Sequence, residues 1–330
     1  MKKILRISLL FVMSLLFLSA CNKEEAASSN KEGNSDEKIK IYTTIYPFQY
    51  FTERIGGKYL TVENIVPPGS DAHSIEITMK EMMAVSESAA FIHSGTAMEG
   101  FADAVIDAVK KENVEIVNAT ENIDFISGQE EAHSEEEEGH EGESEEEHAE
   151  HIEEGLDIDP HVWLDPNRSI LIAENIKNAL IKISPENMET YERNFNLLKQ
   201  DLDMLDDEFT NMVANANSKT FLVSHSAYGY WSDTYGLNQI GISGLSPTDE
   251  PSQGEIIEIV KLVKAQKLEF IYFEPNLTNK VANAVQSETG LKALTLNNLE
   301  SISKEDTDSN EDYLTIMRRN IESLKQGLNQ

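Results

Sequence analysis

Cysteine is almost missing from this chain: Cys21 is the only one. A disulfide framework is excluded, since one thiol cannot pair within the chain. Basic residues are also scarce, 27 Lys and Arg against 59 Asp and Glu, for a net charge of -32. A nucleic-acid partner is excluded on that ground, because a phosphate-binding surface needs clustered Lys and Arg. Long apolar runs are lacking too. The one candidate, Ile7 to Leu18, is too short to cross a bilayer comfortably. No His-Glu-x-x-His motif is present, so the common signature of a zinc hydrolase is absent, and no enzyme is expected. No internal repeat is visible beyond a shared strand and helix rhythm.

What is present begins with the first twenty residues. Lys2, Lys3 and Arg6 precede the apolar run, the layout of a signal peptide over residues 1–20. Leu18-Ser19-Ala20-Cys21 resembles the lipobox of bacterial lipoproteins. That resemblance implies that Cys21 is lipid-modified, anchors the chain to the membrane on its extracytoplasmic face, and is lost as a metal ligand. Residues 21–38, rich in Ser, Asn, Glu and Lys, read as a flexible tether. About 290 residues remain, enough for two lobes.

Strand and helix patterns alternate from Ile39 onward. Ile39 to Tyr46, Val62 to Val66, Ala89 to Ile92 and Val114 to Val117 read as strands, and Phe221 to Val223, Gln239 to Ile242, Phe270 to Phe273 and Ala293 to Leu296 repeat the pattern. Thr78 to Ser88 reads as a helix with Met79, Met82 and Met83 as core filler. Ser252 with Glu255 forms a capping-box pattern. Between the halves, Tyr191, Phe195, Leu198, Leu202, Leu205, Phe209 and Met212 recur at spacings of four and three, the mark of a long amphipathic helix. The expected fold is α/β: two small lobes, each a mostly parallel four-stranded sheet flanked by helices, joined by one long rigid helix. The lobes are expected at 39–185 and 217–330 and the linking helix at 186–216. An acidic loop over 129–155 has too little apolar content to fold.

Eight histidines fall into two groups. His133, His140, His148 and His151 lie in the acidic tract, which is a solvated spacer or a weak metal antenna. Holding a tight site there would cost conformational entropy at every residue. His73 follows the second strand and the turn residues Pro67, Pro68, Gly69 and Ser70. His225 comes directly off a strand of the second half, and Glu274 ends another. In open parallel sheets that carboxyl-end edge is where ligands bind. His161 is framed by Asp159 and Asp165, which are either orienting partners of its imidazole or turn and helix-cap residues. His93 closes an apolar run and reads as a packing or rim residue. Three imidazoles and one carboxylate, His73, His161, His225 and Glu274, make the four-coordinate N and O set that zinc prefers. Oxygen-rich sites suit Mg, Ca or Mn instead.

These motifs together resemble the metal-binding subunits of bacterial zinc and manganese ABC importers over nearly the whole chain after the tether. Pro68-Gly69-Ser70-Asp71-Ala72-His73, Asp159-Pro160-His161-Val162-Trp163-Leu164-Asp165-Pro166, Ser224-His225-Ser226-Ala227-Tyr228 and Ile271-Tyr272-Phe273-Glu274 are similar to the family's ligand segments. Ala72 and Ile75 depart from the common pattern, where a proline and an aromatic stand. The resemblance implies a Zn2+-binding lipoprotein that serves an ABC permease, with the ion between two lobes and only modest lobe movement. His225 stands where manganese members carry glutamate, which implies the zinc branch. A manganese-binding subunit and a surface adhesin-type lipoprotein are the alternatives, and the chain is expected to be a monomer.

Overall fold

The structure, a computed structural model, describes residues 38–128, 158–275 and 277–329. The first half runs β1 (Ile39–Thr43), α1 (Tyr46–Gly56), β2 (Leu60–Asn64), α2 (Met79–Ser86), β3 (Ala90–His93), α3 (Ala102–Val109) and β4 (Glu115–Asn118). Two long helices follow, α4 (Pro166–Ile183) and α5 (Met188–Ala214). The second half is β5 (Thr220–His225), α6 (Gly229–Tyr235), β6 (Asn238–Ser243), α7 (Gln253–Gln266), β7 (Phe270–Phe273), α8 (Lys280–Thr289) and β8 (Lys292–Thr295), then α9 (Lys304–Asp308) and α10 (Tyr313–Leu328).

Two four-stranded sheets result, ordered β2-β1-β3-β4 and β6-β5-β7-β8. Every pairing within them is parallel. The central strands β1, β3, β5 and β7 are short and largely buried, as expected where helices cover both faces of a parallel sheet, whereas the edge strands β2, β4, β6 and β8 are more open. In both sheets the chain leaves a central strand to one side and returns on the other. The resulting crevice at the carboxyl ends of β1 and β3, or of β5 and β7, is the usual ligand position in such sheets.

Helix α5 turns the periodicity of its sequence into one buried stripe, from Tyr191 to Val213. Near its start Asn194 donates to the Ile55 carbonyl at 2.9 Å, and Asp201 pairs with Arg54. Towards its end Glu208 pairs with Arg318 of α10, and Phe209 packs on Trp231 and Tyr235 of α6. The main core is continuous along this helix. It includes Ile41 and Phe91 of the first sheet, Leu202 of α5, and Val223 and Tyr272 of the second sheet. A smaller cluster, with Leu222, Ile271, Val263 and Val285, lies under α7 and α8. Full burial of a side chain such as Leu202 stabilises by roughly 1.5–3 kcal/mol.

Several local expectations are met and others are corrected. Ser252 and Glu255 form a reciprocal capping box at the start of α7, and Thr78 and Glu81 form another at α2. Met79 and Met83, expected in the core, are 73% and 63% exposed. Helix α2 has only eight residues and buries Val85 alone, with Met82 half-buried, so among the described residues Met79 and Met83 lie outside the core. Helix α4 escapes the strand and helix reading, although Pro166 at its first turn and Asp165 as N-cap announce it. Among the described residues no helix is long and apolar enough to cross a membrane.

Candidate metal centre

His73 is delivered by the loop after β2. Hydrogen bonds from the Ile65 and Val66 amides to the Thr43 and Thr44 carbonyls carry the parallel pairing past the strand end. Gly69 then turns with φ 80°, a conformation that favours glycine, and its amide donates to the Ile302 carbonyl at 2.9 Å. Asp71 accepts from the His73 amide at 2.9 Å and from Ser74 Oγ at 2.8 Å, which fixes the turn that presents the imidazole.

His161 precedes a short 3-10 turn, Val162–Leu164, and is completely buried. Asp159 Oδ1 lies 2.9 Å from its backbone amide and 2.8 Å from its Nδ1. A carboxylate only accepts, so Nδ1 carries a proton and Nε2 is turned towards the centre. Asp165 does the other job: it caps α4 through the Asn167 amide and pairs with Arg168. The two aspartates that looked interchangeable in sequence therefore divide orientation from capping.

His225 is the last residue of β5 and is buried. Its Nδ1 lies 3.1 and 3.2 Å from the two oxygens of Glu274, and its Nε2 is 2.8 Å from the Leu245 carbonyl. Glu300 comes from the loop after β8. There Leu299 takes a φ of 63°, its amide donates to Asn297 Oδ1, and Trp163 Nε1 donates to the Asn298 carbonyl at 2.7 Å. Tyr46, at the start of α1, donates its amide to the Glu300 carbonyl at 3.1 Å. The loop is thus tied to the elements that follow both β1 and β4.

These loops bring one ligand atom each from His73, His161, His225 and Glu300 to within 4.8 Å of one another. Glu300 Oε1 lies 3.2 Å from His73 Nε2, 3.1 Å from His161 Nε2 and 2.8 Å from Asn298 Nδ2. The carboxylate of the group is Glu300, a correction to the expectation of Glu274. Glu274 directly follows β7, but its oxygens are engaged by His225 Nδ1 and by Tyr228 Oη at 3.2 Å. Glu300 carries the same positional signal as His225, since it follows the carboxyl end of β8.

Burial and charge oppose one another here. Burial disfavours charge on His161, but the Asp159 and Glu300 carboxylates outweigh it and push its pKa up to about 10. Burial likewise works against His225, and Glu274 raises it nonetheless. Burial would raise Glu300, yet the imidazoles of His161 and His73 hold its carboxyl well below the usual range. Only His73 retains appreciable side-chain exposure, 10% against 3% or less for His161, His225 and Glu300. Three imidazole nitrogens and one carboxylate oxygen, converging from three loops and the end of one strand, are a donor set suited to a four-coordinate zinc ion.

His93 stays apart. It stacks on Phe91 with centroids 5.7 Å apart, accepts from the Gly95 amide, and burial pushes its pKa down. It is the packing residue that its sequence setting implied. Cys21, His133, His140, His148 and His151 lie outside the described residues.

The model of the family described as zinc-uptake complex component A, periplasmic (ZnuA), matches residues 41–327. The chain belongs to the ZnuA family. It is 35% identical over 320 residues to the zinc-binding lipoprotein AdcA of Streptococcus pneumoniae, covering 96% of this chain and 61% of that one. The chain therefore spans about three fifths of the length of that relative. It is 34% identical to the high-affinity zinc uptake system protein ZnuA of Bacillus subtilis, over 97% of both chains. The crystal structure of the Zn(II)-bound ZnuA-like domain of pneumococcal AdcA is similar at a TM-score of 0.71 and 32% identity, covering 89% of this chain and all of that domain. Two parallel sheets with a long helix between them in sequence are thus the architecture of a ZnuA-family member.

Proposed function

We propose that this chain captures Zn2+ outside the cytoplasm and delivers it to an ABC permease for uptake. The observation that carries the reading is the buried convergence of His73, His161, His225 and Glu300, with nitrogen and oxygen donors within 4.8 Å of one another. Imidazole nitrogens with a single carboxylate favour zinc over the oxygen-rich sets that manganese takes. The names of the relatives point the same way, and the ion here is cargo.

The two sheets act in this reading as lobes over 39–185 and 217–330, with the ion between them and α5 as a stiff brace that permits only modest movement. The lipid attached at Cys21 holds the chain at the outer face of the membrane, within reach of the permease. His133, His140, His148 and His151 serve as weak, exchangeable zinc ligands that feed the buried centre. The folded part works as a monomer.

Competitive chelator titration of the wild type with zinc and with manganese tests the reading, with His73→Ala and His161→Ala in parallel. Tight zinc binding by the wild type, at least tenfold weaker binding by each variant, and poor growth of the variant strains under zinc limitation are expected. A wild type that binds both metals weakly, or either variant with unchanged zinc affinity, sinks it.

A further inference from the structure

The two fully buried histidines of the centre are held in the same way, each with a carboxylate at Nδ1. Behind His161 stands Asp159, with Oδ1 2.8 Å from Nδ1. Behind His225 stands Glu274, with its two oxygens 3.1 and 3.2 Å from Nδ1. Both carboxylate residues are in turn fastened by one short segment. Tyr228 Oη donates to Glu274 Oε1 at 3.2 Å, and Tyr230 Oη donates to the Asp159 carbonyl at 2.7 Å. Between the two tyrosines, Gly229 leaves room for Asp159: a Cβ there would stand 2.5 Å from Asp159 Oδ2.

We infer that Glu274 is a positioning residue for zinc, which fixes the His225 ring through Nδ1 and thereby assigns Nε2 to the ion. The inference rests on the zinc-site reading above and adds to it a residue that does not itself hold the metal. A carboxylate that receives the Nδ1 proton does three things: it selects the tautomer, stops the ring from rotating, and makes the opposite nitrogen a stronger donor. At Nε2 the ion replaces the proton shared with the Leu245 carbonyl, 2.8 Å away. Glu274 also supplies a negative charge close to the bound dication. With Asp159 and Glu300, three buried carboxylates surround three imidazoles, so the positive charge of the ion is met inside the protein.

Among the described residues no carboxylate backs His73 through its second ring nitrogen. Its Nε2 meets Glu300, and Asp71 reaches its backbone amide instead. Its ring is also the more exposed one, so it is the ligand with the greatest freedom to release.

The test is zinc titration of Glu274→Gln, Glu274→Ala and His225→Ala against the wild type, with cobalt(II) absorption spectra of each. Outer partners of metal-bound histidines are worth about 10–100-fold in affinity, so Glu274→Ala should fall by that factor. Glu274→Gln keeps an acceptor oxygen for Nδ1 without the charge and should fall in between. The ligand-field bands of the cobalt forms should shift in the same order, a readout that a residue serving stability alone would not move. Wild-type zinc affinity and an unchanged cobalt spectrum in Glu274→Ala overturn the inference, provided His225→Ala has lost its binding. If His225→Ala also binds as the wild type does, the zinc-site reading itself has failed. Should Glu274→Ala not fold, Glu274→Gln decides, and wild-type affinity with a wild-type spectrum counts against the inference.

Discussion

The two sheets have the same strand order but use their carboxyl-end crevices differently. Between the ends of β1 and β3 the crevice is filled by Glu99, whose oxygens accept from Thr44 Oγ1 at 2.5 Å and from the Ser94 amide at 2.9 Å. Both donors are neutral, so burial prevails and pushes the Glu99 carboxyl up to about 7. Between the ends of β5 and β7 the crevice holds His225 with Glu274. Glu300, as deeply buried as Glu99, is held well below the usual carboxylate range because imidazoles face it. Burial alone therefore does not decide whether a carboxylate is charged; the partner does. One crevice is closed by a self-contained polar network, and the other pairs an imidazole with a carboxylate.

The comparison presumes one shared core, and Leu202→Ala in α5 tests that first. It should cost about 2–5 kcal/mol. The shared cluster requires β1 and β5 to lose amide protection together in hydrogen exchange. Two separate transitions would show that the sheets are independent.

The two buried glutamates should then part company. Glu300→Gln should weaken zinc binding by about 100-fold or more, close to 3 kcal/mol, because it removes a metal donor rather than an outer partner. Glu99→Gln should leave zinc affinity as it is and change the pH dependence of folding instead. Because the folded-state pKa of Glu99 lies above its value of 4.5 in the unfolded chain, the unfolded state releases the proton first as pH rises. The wild type should therefore lose about 2 kcal/mol of stability relative to Glu99→Gln between about pH 4.5 and about pH 6.5, read from urea unfolding at the two pH values. A pH-independent difference would mean that Glu99 is charged in the fold.

The smallest effect is expected at Tyr230. Tyr230→Phe removes the hydroxyl that holds the Asp159 carbonyl, at a cost of about 1 kcal/mol in thermal or urea unfolding. Zinc affinity should drop by less than the roughly tenfold that marks direct loss of an outer partner. A larger drop in the titration would move Tyr230 into the same class as Glu274.

Much of this arrangement is legible along the chain because it repeats locally. The four-and-three spacing from Tyr191 to Met212 gives the buried stripe of α5, and the strands Phe270–Phe273 and Ala90–His93 sit on, or one residue from, the apolar runs and flanking turns that announce them. His73, His161 and His225 stand out because each follows a strand or lies in a proline-framed turn. The separate duties of Asp159 and Asp165 are not legible in the same way, since both flank the same short motif and either side chain could reach back to an imidazole or forward to a helix. Met79 and Met83 mislead for a related reason: a helical apolar face says that burial is possible, not that a partner surface exists.

The alternating elements, the long helix and the strand-end position of the donor residues are local properties of the chain, because they follow from periods of two and 3.6 residues and from turn chemistry acting over a few neighbours. Which carboxylate joins the three histidines depends on packing across the whole chain. Glu274 and Glu300 both follow strands of the second sheet, and no local rule separates them. The separation comes from the left-handed turn at Leu299 and from the Trp163 and Tyr46 hydrogen bonds, which draw the Glu300 loop towards His73 and His161 while Glu274 stays against His225. Distances between loops are set by how the sheets pack, and packing is a property of the whole chain.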